Sequence, residues 1–173
     1  MAIEGKRVVV LAEDLYEDLE LWYPYYRLKE AGATVRLLGT GRPTYHSKHG
    51  LPVEVDGSVA EAEPSGVEAV VVPGGYSPDK MRRHRPLLDF VRGIFEDGGY
   101  VAFICHGGWV PVSADIVRDR KVTSAPSIQD DLRNAGAEWL DQEVVRDGAL
   151  ISSRRPPDLP AFCGSLLEAL GEA

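Results

Sequence analysis

Apolar residues along the chain come in two rhythms. Short continuous runs at Val8 to Ala12, Ala69 to Val72 and Val101 to Ile104 predict strands covered on both faces. Between them the spacing changes to that of helices. Leu19, Trp22, Tyr23, Tyr26 and Leu28 recur at helical intervals before Gly32 stops the segment, and Leu87, Leu88, Val91, Ile94 and Phe95 share one helical face closed by Gly98-Gly99. Val35 to Leu38 predicts a further strand. Tyr45 to Val55, with Gly50 near its middle, predicts a two-stranded excursion. Beyond Cys105 the pattern predicts a strand near Val122, a short helix over Ile128 to Asn134, a hairpin turning at Asp147-Gly148, and a last helix from Leu159 to Leu170. Alternating strands and helices imply a parallel sheet with right-handed crossovers, which carries its working residues at the carboxyl ends of its strands. Three segments fall there: Glu13 to Glu17, Pro73 to Asp79, and Cys105-His106-Gly107-Gly108.

Composition narrows what such a sheet could serve. The 173 residues suffice for one core, and no linker-like stretch divides them, so one domain over 1–173 is expected. Nineteen Lys and Arg against 27 Asp and Glu give a formal charge of -8, which repels phosphate backbones and anionic membrane surfaces. Neither nucleic acid nor membrane is an expected partner. The first apolar run is too short for a signal peptide or a membrane span, so a cytoplasmic location is expected. Two cysteines make no disulfide scaffold, and each is judged as a free thiol.

The two thiols separate at once. Cys163 shares an apolar stripe with Leu159, Leu166, Leu167 and Leu170 and is expected in the core. Cys105 follows a buried strand and precedes Gly107-Gly108, the layout of a nucleophile elbow, where small neighbours permit a sharp turn and the helix dipole favours a thiolate. Free cysteines are commonly core residues, but a pair of glycines suits an elbow and weakens a helix start. The backbone amide of His106 and one from Gly74-Gly75 suit an oxyanion hole, with Gly107 and Trp109 on the substrate side. Glu13, Asp14, Glu17, Asp18 and Glu20 crowd a helix start, where the macrodipole accounts for most of them. His46, His49 and His84 show neither a helical i,i+4 pair nor a cysteine at metal-ligand spacing, so neither a metal nor another cofactor is expected.

The residues also resemble a known family, the PfpI/ThiJ group of the class I glutamine-amidotransferase-like superfamily, which includes intracellular proteases and glyoxalase or deglycase stress proteins. The resemblance rests on Glu17-Asp18-Leu19-Glu20-Leu21, Tyr23-Pro24-Tyr25, Arg27-Leu28-Lys29-Glu30, Pro73-Gly74-Gly75 with Ser77-Pro78-Asp79, Ala102 through Gly107, Asn134-Ala135-Gly136-Ala137-Glu138 and Asp158-Leu159-Pro160-Ala161-Phe162. It implies a flavodoxin-like three-layer α/β sandwich, Cys105 as nucleophile, and Glu17 close enough to the sulfur to share a proton. It further implies a homodimer or larger homo-oligomer with the site at a subunit interface, where His106 is completed by Asp79 of a neighbouring subunit. One departure concerns the residue two after the histidine, commonly proline in the family and Gly108 here, with Pro111 further on.

The reading that follows first is a cysteine hydrolase of the peptidase or amidase type acting on a peptide or amide carbonyl. The alternative is glyoxalase or deglycase chemistry on methylglyoxal, a small carbonyl compound, or its adducts. A third reading is a non-enzymatic redox sensor acting through oxidation of Cys105.

Overall fold

The computed structural model describes residues 3–172. Its elements are β1 (Arg7–Leu11), α1 (Asp18–Glu30), β2 (Thr34–Gly39), β3 (Thr44–His46), β4 (Pro52–Glu54), β5 (Gly57–Ser58), β6 (Ala69–Val72), α2 (Ser77–Met81), α3 (Arg85–Glu96) and β7 (Tyr100–Ile104). After β7 come α4 (Trp109–Ser113), β8 (Lys121–Val122), α5 (Gln129–Asn134), β9 (Glu138–Trp139), β10 (Val145–Asp147), β11 (Leu150–Ser153) and α6 (Leu159–Glu172).

Seven strands form the main sheet in the order β10-β11-β7-β6-β1-β2-β5, and every pairing is parallel except that of β10 with β11. The continuous apolar runs explain why both faces are covered. Val8 and Val10 join Ala102 and Ile104 under α1 and α6, while Val9 and Leu11 join Val101 and Phe103 under α3 and α4. Successive strand residues point to opposite faces, so a run of valines feeds two cores, each fully buried Val, Leu or Ile contributing about 1.5–3 kcal/mol. This is the flavodoxin-like sandwich expected from the sequence. Between β1 and β6 the strand order reverses, opening a crevice at the carboxyl ends of the strands. None of the helices is long and apolar enough to cross a membrane among the described residues.

The hairpin predicted at Asp147-Gly148 is there, with Asp147 paired to Leu150, and so is the excursion, in which Tyr45 pairs with Val53. Helix α1 lies where the spacing placed it, but it is rotated. Leu19, Tyr23 and Tyr26 are exposed, and the buried line is Glu20, Leu21, Pro24 and Leu28. Residues four apart stack on one helical face, so Glu20 follows Pro24 and Leu28 into the interior. The aromatic residues of the segment overstated the apolar character of the solvent face.

Candidate functional site

Cys105 follows β7 with φ of +60°, in the left-handed region that residues other than glycine seldom occupy. The chain turns there into a single 3-10 turn over Cys105–Gly108 and then into α4. Gly107 makes the turn feasible, since a Cβ at that position would lie 2.6 Å from the carbonyl oxygen of Val72. At Gly108, the position of the family proline, a Cβ would lie 3.3 Å from the Ile128 side chain and 3.4 Å from that of Leu132, so these would have to give slightly; the elbow forms without the proline ring.

The segment after β6 closes against this turn. A Cβ on Gly74 would lie 2.7 Å from that of Cys105, and one on Gly75, at φ +73°, would lie 2.6 Å from the amide nitrogen of Glu17. Only bare backbone fits between the elbow and the start of α1. The N–H groups of His106 and Gly75 both point at the Cys105 sulfur, the pair expected of an oxyanion hole.

The acid at the sulfur is Glu20, which corrects the placement of Glu17. Glu20 is fully buried, its Oε2 accepts the N–H of Gly74 at 2.8 Å, and its carboxyl lies against the Cys105 thiol. Oε1 is buried with no hydrogen-bond partner of normal geometry among the described residues. Glu17 instead caps α1, accepting the N–H of Glu20 at 3.0 Å. The residue that begins the helix turns its carboxylate back onto free N–H groups, whereas the residue three positions on is carried inward. Burial, reinforced by the charge of Glu17, raises the Glu20 carboxyl to about 7. Burial and the charge of Glu20 push the Cys105 thiol up to about 12, against the pull of the two N–H groups. The two groups are in contact and titrate as a coupled pair, with burial disfavouring the charged form of each.

His106 does turn its ring into the site. Nδ1 is 3.3 Å from the Cys105 sulfur and Nε2 is 3.1 Å from the Ser127 hydroxyl. Burial, with the Lys48 charge, lowers its pKa and keeps the imidazole neutral. Trp109 stacks edge-on to His106 at 5.3 Å, donates to Asp131 at 2.9 Å, and lies under the Arg82 guanidinium. Asp79 lies exposed on α2, paired with Arg83 at 3.3 Å. Within one chain it is not a partner of His106.

Two residues were missed by sequence reasoning. Ser127 arrives because the Cys105 carbonyl accepts the N–H of Ala125, which seats the turn that follows β8 over the imidazole. Lys48 arrives on the tip of the β3–β4 hairpin, whose Ser47 bridges to Tyr16 beside α1. Neither carries a local signal. The same hairpin brings His49 to within 2.7 Å of Asp18.

Known proteins share this sequence and fold. Residues 6–169 match the DJ-1/PfpI family. A deglycase of Pyrococcus abyssi is 42% identical over 164 residues, covering 95% of this chain and 99% of that protein. Protein/nucleic acid deglycase 2 of Escherichia coli is 39% identical over 170 residues, 96% of this chain and 99% of that one. A putative cysteine protease, YraA of Bacillus subtilis, is 36% identical over 91% of this chain and 94% of its own. Among solved structures, a two-domain protein of Anabaena variabilis with DJ-1/ThiJ/PfpI-like and ferritin-like domains superposes with a TM-score of 0.94 at 42% identity, over 96% of this chain and 48% of that one. Drosophila melanogaster DJ-1beta gives 0.89 at 26% identity, over 97% and 95%. With nearly its whole length matched, the chain belongs to the DJ-1/PfpI family.

Proposed function

We propose that the protein is a cofactor-independent deglycase or glyoxalase, acting through Cys105 on 2-oxoaldehydes such as methylglyoxal and on their adducts with amines. The observation that carries this reading is the buried Glu20 carboxyl held against the thiol and poised near neutrality. A 2-oxoaldehyde must move a proton between adjacent carbons, and a buried acid–base group with a pKa near 7 is suited to that task. The names of several relatives point the same way.

In the reaction Glu20 takes the thiol proton as sulfur adds to the aldehyde carbon and returns it to the aldehyde oxygen, so that a C–S bond replaces the C=O π bond in a hemithioacetal and Glu20 is a base again. The N–H groups of His106 and Gly75 hold the developing oxyanion. With an amine adduct, sulfur instead displaces the amine from the carbon that bears it; the C–N bond breaks and the amine leaves with the proton. Glu20 or His106 then removes the hydrogen of the sulfur-bearing carbon and delivers a proton to the neighbouring carbonyl carbon, giving the thioester of a 2-hydroxy acid. Water cleaves the thioester and restores the thiol. One carbon is oxidised and its neighbour reduced, so no external redox partner is required.

The hydrolase reading keeps the nucleophile and asks more of His106, which would protonate a departing amide nitrogen. The imidazole has Ser127 at Nε2, and Asp79 of the same chain faces Arg83. We include in the proposal that Asp79 of a second copy approaches His106 across a homo-oligomer interface. The test offers the purified protein methylglyoxal, a methylglyoxal-treated amine and a fluorogenic peptide amide, with Cys105→Ser as control. Cys105-dependent lactate from the first two supports the proposal. Cys105-dependent turnover of the amide alone returns the hydrolase reading, and turnover of none leaves the sensor.

A further inference from the structure

We propose that Glu17, Asp18 and His49 form a site for one first-row divalent cation, with Zn2+ the best match, on the outer wall of the Cys105 site. One donor atom from each residue lies within 4.8 Å of the other two. Four-coordinate zinc, with bonds of about 2.0–2.2 Å, holds its donors roughly 3.3 Å apart, within reach of small side-chain rotations from here. The set is drawn from two distant parts of the chain. Glu17 and Asp18 open α1, and His49 comes from the tip between β3 and β4, 31 residues beyond Asp18.

The tip is held for this encounter. Ser47 Oγ accepts the N–H groups of His49 and Leu51 at 3.1 and 3.0 Å, and Ser47 and Lys48 are bonded to the strand-like segment at Tyr16. Through these bonds His49 Nδ1 already rests 2.7 Å from Asp18 Oδ2. Neighbouring acids are engaged elsewhere: Arg42 reaches both Glu13 and Asp14. Glu17 and Asp18 supply two negative charges, matching a divalent ion, and the imidazole supplies the borderline-soft nitrogen that favours zinc over magnesium or calcium. Three protein donors leave a fourth position for water, as in zinc sites that exchange ligands. The His49 side chain is 67% exposed, so the ion has access without rearrangement. The site runs against the expectation of no metal drawn from sequence spacing, and it stands independently of the deglycase reading.

The rival ligand is the nearby thiol, and the experiment separates the two. The reduced full-length protein is titrated with Co2+, followed by its visible absorbance, and the bound Co2+ is then displaced with Zn2+. One equivalent is expected. His49→Ala and Asp18→Asn should each weaken binding at least about tenfold, while Cys105→Ser should stay within roughly twofold of the wild type. His49 is exposed and its removal spares the core, and circular dichroism confirms folding of each variant. Absence of saturable binding overturns the site, as does either ligand variant binding like wild type, or loss of binding in Cys105→Ser.

Discussion

Two turns meet to make the site, and they were unequally legible. The turn after β7 announces itself, because Cys105, His106, Gly107 and Gly108 are consecutive and their chemistry depends on local geometry: a positive φ, a bare Cα against Val72, amides aimed at the sulfur. The turn into α1 holds five acids within eight residues, and they meet four different fates. Glu13 and Asp14 meet Arg42, Glu17 caps, Asp18 meets His49, and Glu20 goes inside. Nothing in the local sequence ranks them. What ranks them is the phase of a helix against a sheet, a tertiary property.

The largest expected effect tests that ranking. Glu20→Gln should lower turnover of a 2-oxoaldehyde by roughly 10²–10⁴-fold, the usual contribution of a positioned acid–base group, and Glu17→Gln should stay within about tenfold of wild type. Replacing the cap should instead appear as a loss of about 1 kcal/mol in stability. Steady-state kinetics and denaturant melts on both variants decide it. The reverse pattern would return the catalytic proton to Glu17.

The architecture was readable for a physical reason that did not extend to Glu20. Runs such as Val70-Val71-Val72 require cover on both faces wherever they occur, so the parallel sheet and its crevice follow from short segments. Helix α1 does not follow in the same way. Its aromatic residues Tyr23 and Tyr26 are partly or largely exposed, and its interior line carries a carboxyl and a proline, so hydrophobic spacing predicts the helix but misjudges its rotation. Ser127 and Lys48 were invisible, and the neighbours of His49 were too, for a simpler reason: each reaches the site from a loop remote in sequence.

A second prediction concerns the stability cost of keeping Glu20 inside. Its carboxyl is raised from an ordinary 4.5 to about 7, so the folded state holds a proton that the unfolded chain releases between those values. Native protein then binds more protons than unfolded protein, and stability falls as pH rises through that window. Glu20→Gln removes this dependence. It should be more stable than wild type above pH 7 by up to about 3 kcal/mol, and the gain should vanish below about pH 4.5. Denaturant melts at pH 4.5, 6 and 8 measure it, and an equal difference at all three values would mean that Glu20 does not carry the shift.

A third comparison sets the two cysteines against each other. Burial pushes both thiols up to about 12, with the Glu20 charge adding to it at Cys105, so acidity does not distinguish them. Access does: Cys163 is 1% exposed within the core of α6, and Cys105 is only partly buried. Limiting iodoacetamide should modify Cys105 at least about tenfold faster than Cys163, the difference being one of access and of amides that stabilise the attacking sulfur. Peptide mapping reads the ratio. Preferential modification of Cys163 in the folded protein would remove the elbow from the argument.

The smallest effect expected lies at the far end of the imidazole, where the two turns leave His106 incompletely held. Nδ1 faces the sulfur, and Nε2 meets a hydroxyl that carries no formal charge. Removing that hydroxyl in Ser127→Ala deletes one neutral hydrogen bond, worth about 0.5–1.5 kcal/mol, so turnover should fall roughly two- to tenfold. The variant should fold, because Ser127 is exposed and sits on a surface turn. If a second copy supplies Asp79, a carboxylate competes for the same nitrogen and makes the stronger bond. Asp79→Asn should then lower turnover more than Ser127→Ala, and its deficit should grow as the protein is diluted and subunits part. Equal, concentration-independent losses would confine the orientation of His106 to its own chain, while a large loss in Ser127→Ala alone would make the hydroxyl the positioning group.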